Sequence, residues 1–109
     1  MSKERFKQGQ PRYMTRGISE RLPPEIQIIL WRMVDSLKNE IKLDYLQVFR
    51  LETLGSLEDD SLVQVIIHEQ EKPQYSRRYY FPDLRIGVTG KVYIIDDSEH
   101  STMLWAEEY

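Results

Sequence analysis

A change of hydrophobic period near residue 42 constrains this fold more than any other feature of the chain. Before it, Ile26, Ile29, Leu30, Met33, Val34, Leu37 and Ile41 recur at the spacing of a helix that buries one stripe. After it, apolar and polar residues alternate in runs, the period of strands. Pro24 suits a first helical position, where a missing N–H is no loss, and Glu25 suits the positive first turn. The spacing predicts one long amphipathic helix over about residues 24–41, with Asn39 or Lys42 as its terminus.

Strands are read from β-branched and aromatic runs bounded by turn residues. Residues 13–18 suit a short first strand. Residues 45–54 and 62–70 suit a hairpin around the acidic loop 55–61. Residues 75–81 follow Pro73, and 88–95 with 102–107 suit a last hairpin around 96–100. Short connections make neighbouring strands antiparallel. The expectation is an α+β fold, with one long amphipathic helix on a curved, mainly antiparallel sheet of five to six strands. That is the roll of cystatin-like and transport-factor-like folds. Residues 1–12, with Gly9, Pro11 and alternating charge, read as a flexible basic arm before a single domain over 13–109.

Composition removes several function classes. Without cysteine there is no disulfide, thiolate catalysis or Cys-ligated zinc. No apolar run approaches the ~20 residues of a bilayer span, and no apolar segment follows the charged N-terminus as in a signal peptide. A cytoplasmic protein without a membrane partner is expected, from a bacterium or from a phage acting inside one. Charge is laid out in blocks: residues 1–21 and 72–91 are basic, whereas 44–71 and 96–109 are acidic. Such blocks are expected to pair across the fold rather than to form the uniformly basic surface that nucleic-acid binding favours.

No catalytic set is legible. On a strand, His68 shares its face with Gln70 and not with Glu69 or Glu71, so it reads as a strand histidine with a satisfied hydrogen bond rather than a metal ligand. His100 lies among Asp96, Asp97 and Glu99 without the spacing of a calcium loop. Asp59-Asp60 and Asp96-Asp97 read as solvated turn carboxylates. Neither a metal nor a cofactor is expected, nor is an enzyme.

Two features point to binding. Ile28 and Trp31 project away from the buried stripe, onto a face that should be wet, and read as a protein-binding or homodimer surface. Residues 75–81 (YSRRYYF) interleave arginine with aromatics, as platforms for single-stranded nucleic acid do. Alternation puts Arg77 and Tyr79 on one face of that strand and Arg78 and Tyr80 on the other.

Tyr13-Met14-Thr15-Arg16-Gly17-Ile18, Leu22-Pro23, Leu30-Trp31, Asp44-Tyr45-Leu46-Gln47-Val48-Phe49 and the run from His68 to Tyr75 together resemble a small family of Gram-positive bacteria and their phages. That family is domain of unknown function 960. The resemblance covers roughly residues 13–105 and implies a compact, intracellular α+β domain. No activity or site residue comes with it.

The leading expectation is a small non-enzymatic domain that binds another protein or itself. A nucleic-acid-binding module using Arg77, Arg78, Tyr79 and Tyr80 is the first alternative. A roll whose cavity between helix and sheet holds a small ligand or substrate near His68 or the tyrosines is the second.

Overall fold

A computed structural model describes residues 4–109. Its elements are β1 (Arg12–Met14), α1 (Arg16–Arg21), α2 (Pro24–Lys38), β2 (Leu46–Leu54), β3 (Val63–Gln70), β4 (Tyr75–Phe81), β5 (Gly90–Asp96) and β6 (Ser101–Trp105), closed by a 3-10 turn at Ala106–Glu108. The protein is α+β, with one six-stranded sheet in the order β1-β6-β5-β2-β3-β4. Four of the pairings are antiparallel, and β1 runs parallel to β6. The sheet is therefore mixed.

In place of one long helix there are two among the described residues, of 6 and 15 residues. The first occupies residues expected as a strand. Thr15 caps it, its Oγ1 accepting the N–H of Ile18 at 3.2 Å, and Arg16 pairs with Glu20 one turn on. Met14, Arg16 and Ile18 alternate in sequence, which hid the cap. The second helix starts at Pro24 as expected and stops at Lys38, short of Ile41, with Asn39, one of the two expected termini, as its C-cap. Its end tightens where the Leu37 carbonyl accepts from both Glu40 and Ile41, at 2.9 and 3.1 Å. Ile41 and Leu43 continue the apolar stripe beyond the helix, because both still pack on the core.

Helix residues Ile18, Leu22, Ile26, Leu30, Val34 and Leu37 pack on one face of the sheet, against Phe49, Leu51, Ile66, Val92, Ile94, Met103 and Trp105. Burying each such side chain contributes ~1.5–3 kcal/mol. Residues 1–3 of the expected arm lie outside the described residues. Among residues 4–12, Phe6 is only 2% exposed and joins the core cluster. Lys38 donates to the Phe6 carbonyl at 2.9 Å. Asp96 accepts from Gln10 at 2.6 Å and from Arg5 at 3.5 Å. Asp96, expected to be solvated, is 3% exposed as a result. The basic N-terminal block thus folds onto the acidic C-terminal one, as Arg21 does onto Glu107.

A crossover connection over residues 82–89 takes the chain from edge strand β4 to β5, beside β2. Gln64 secures it from inside the sheet. Its side-chain amide donates to the Val88 carbonyl at 2.9 Å and accepts the Val88 N–H at 2.8 Å. Arg85 on the same connection pairs with Asp60 of the acidic loop.

Candidate functional site

Ile28 is 52% exposed, as the helical spacing implied. Trp31 is half-buried, and the Arg12 guanidinium lies 4.5 Å from its ring centroid while also bonding Asp35. A residue of β1 therefore already covers one face of the indole, and Ile28 and Trp31 do not form one bare patch.

The four Arg/Tyr residues are divided by the pleat of β4. Arg77 and Tyr79 sit opposite His68 and Ile66, on the face that carries the helices. Arg78 and Tyr80 sit opposite Ile67 and Val65, on the other face. Tyr79 is half-buried, its hydroxyl 3.3 Å from that of Tyr75, and Arg77 stands 6.0 Å over its ring. Burial and this hydrogen bond push the Tyr75 phenol up to about 12. Tyr80 is 54% exposed.

Strand β4 ends the sheet. It pairs only with β3, and no backbone hydrogen bond outside the ladders uses it among the described residues. Alternate N–H and C=O groups along seven residues therefore face outward. The other edge, β1, is three residues long. Beside β4 runs an apolar groove of about 320 Å³, lined by Ile29, Arg32, Met33 and Ser36 of α2 and by Tyr79 and Phe81. Ile29, Met33 and Ser36 recur at i, i+4 and i+7, so one flank of the helix forms the far wall. Arg32 lines the groove, Arg77 and Arg78 project from the two faces of β4, and none of the three makes an ion pair among the described residues. Ile29, Arg32 and Met33 escaped the sequence reading as a site. They lie within the helical pattern, and nothing local marks 75–81 as the edge.

His68 is fully buried. It is stacked on Phe49 and edge-on to Tyr75 at 5.5 Å. Its Nε2–H donates to Gln47 Oε1 at 2.6 Å, and Gln47 in turn donates to Gln70 at 2.7 Å. Burial lowers the imidazole to about 4, so it is neutral at pH 7. His100 pairs instead with Asp97 in the β5–β6 turn. Among the described residues no group of three His, Asp or Glu is arranged to hold a metal. On the face away from the helices, a polar groove of about 500 Å³ holds the Arg50–Glu69 pair, 2.7 Å apart, beside Lys91 and Tyr93. Its charges are of both signs.

The family model described as "Staphylococcal protein of unknown function (DUF960)" matches residues 11–108. The chain belongs to this family. The matched span runs from the residue before β1 to the last turn, so it takes in α2, β4 and the groove between them. A solved structure, "Crystal structure of the protein of unknown function from Enterococcus faecalis", is similar in fold, with a TM-score of 0.76. It is 23% identical over 99% of this chain and 98% of its own. No curated protein matches the sequence. No helix among the described residues is long and apolar enough to cross a membrane.

Proposed function

We propose that this member of the family is a non-enzymatic protein-binding domain, and that it takes up an extended polypeptide segment as an added strand alongside β4. The observation that carries the reading is the pairing of an unused seven-residue edge with an apolar groove directly behind it. Main-chain hydrogen bonds to the edge supply affinity, and alternate side chains of the guest drop into the space between β4 and α2. Ile28 and Trp31 lie outside that groove and serve at most as its distant rim.

Selection from a displayed library of random peptides, followed by hydrogen exchange on the complex, tests this. The expected result is a set of peptides that slow exchange across Tyr75–Phe81 and that a Met33→Glu variant no longer binds. Selected peptides that protect other strands, or a library that returns none, would overturn it. Stable dimers in light scattering, with the same amides protected, would replace the peptide by a second copy.

A further inference from the structure

The charge around the edge specifies what kind of segment fits there, an inference that rests on the proposed function. We infer that the guest is acidic, with carboxylates alternating with apolar side chains, and that it is not a second copy of this chain.

Three observations carry this. First, alternation along an added strand sends every second side chain toward the helices, where Ile29, Met33, Tyr79 and Phe81 offer an apolar wall. The intervening side chains lie on the opposite face, beside Arg78 and between Ser76 and Tyr80. A guest that is apolar on one face and acidic on the other matches both surfaces. Second, the arginines at this edge make no ion pair among the described residues, unlike Arg12, Arg16, Arg21, Arg50 and Arg85, and the neighbours of Arg77 and Arg78 on their own strand are the neutral phenols of Tyr79 and Tyr80. Their charge is left to attract a carboxylate, and such attraction speeds encounter and rejects basic partners. Third, the same charge works against self-pairing. Two copies of β4 in full antiparallel overlap would put Arg78 opposite its own copy, and a shift of one pair toward the N-terminus would do the same to Arg77. Like charges directly opposite one another are destabilising.

Three synthetic peptides of about ten residues, enough to cover a strand with flanks, distinguish the outcomes by fluorescence anisotropy on the full chain. One alternates valine with glutamate, one valine with lysine, and one serine with glutamate. The valine–glutamate peptide should bind tightest, and Arg78→Glu should weaken it about tenfold while improving the valine–lysine peptide. Raising the salt concentration should weaken the first complex. Met33→Glu should abolish binding of every apolar peptide. Equal binding of the glutamate and lysine peptides, still lost in Met33→Glu, would overturn the charge inference and leave strand addition standing. Binding of serine–glutamate as tight as valine–glutamate would show a polyanion surface and overturn it too. If no peptide binds, the proposed function fails with it. Circular dichroism of both variants separates lost binding from lost folding.

Discussion

The imidazole of His68 lies nearly flat on the ring of Phe49, with centroids 4.4 Å apart and planes 19° from parallel. The two residues are directly opposite on β3 and β2, so the stack joins the central strands on the face that the helices cover. Gln47 holds the Nε2 side of the ring, which fixes the tautomer: Nε2 carries the proton and Nδ1 keeps its lone pair.

Burial without an opposite charge makes His68 a source of acid sensitivity. The unfolded chain takes up a proton near pH 6.5, whereas the folded one resists until about 4. Stability is therefore fully present above 6.5 and falls as pH drops through this window. The loss is about 2 kcal/mol by pH ~5, at roughly 1.4 kcal/mol per unit. Urea unfolding at a series of pH values should show this slope, and His68→Leu should flatten it. A slope unchanged in the variant would assign it elsewhere.

Gly90 opens β5 at φ +146°, a conformation that side chains rarely adopt, with a Cβ position 2.8 Å from the Trp105 ring. Gly90→Ala should cost about 1–3 kcal/mol through backbone strain and a displaced indole. Thermal unfolding measures the cost, and near-ultraviolet circular dichroism should report the altered tryptophan.

Gln64 makes its case through what it leaves behind. Gln64→Leu keeps the volume but strips partners from the Val88 N–H and from the carbonyls of Val88 and Glu52. A loss of about 1–3 kcal/mol is expected, with hydrogen exchange accelerated first across residues 82–89.

Asp96 holds the N-terminal segment through Gln10 and Arg5. Asp96→Ala should expose the bonds after Arg5 and Lys7 to trypsin well before the rest of the chain is cut. Equal cleavage rates in both proteins would show that the burial of Phe6 suffices to hold the segment.

Ile28→Ala and Trp31→Ala should differ. An exposed side chain falls within about ±0.5 kcal/mol. Trp31 loses both half-buried surface and the Arg12 stack, so about 1–3 kcal/mol is expected. Chemical denaturation of the two variants decides this, and a large effect from Ile28→Ala would indicate a contact absent from the isolated chain.

Much of the architecture was legible. The stripe from Ile26 to Leu37 marks α2 because burial imposes its own period, and the runs around Phe49, Ile66 and Tyr79 mark strands for the same reason. What was hidden depends on contacts between residues distant in sequence. Thr15 reads equally well as a strand residue until its hydroxyl caps α1. Asp96 reads as a turn carboxylate until Gln10 meets it, and Phe6 reads as arm until the core receives it. The groove was the least visible feature, because it needs both the strand order and the orientation of α2. Strand order follows from the crossover at 82–89, which no local pattern announces.

The topology also separates early from late assembly. Strands β2, β3 and β4 form an uninterrupted meander whose partners are close along the chain. The β1–β6 pair instead brings together residues as remote as Arg12 and Ser101. Closing that long loop costs entropy that the meander never faces. The molecule should therefore come apart from the β1 side first, its outermost strand on that flank fraying while the opposite rim keeps its shape.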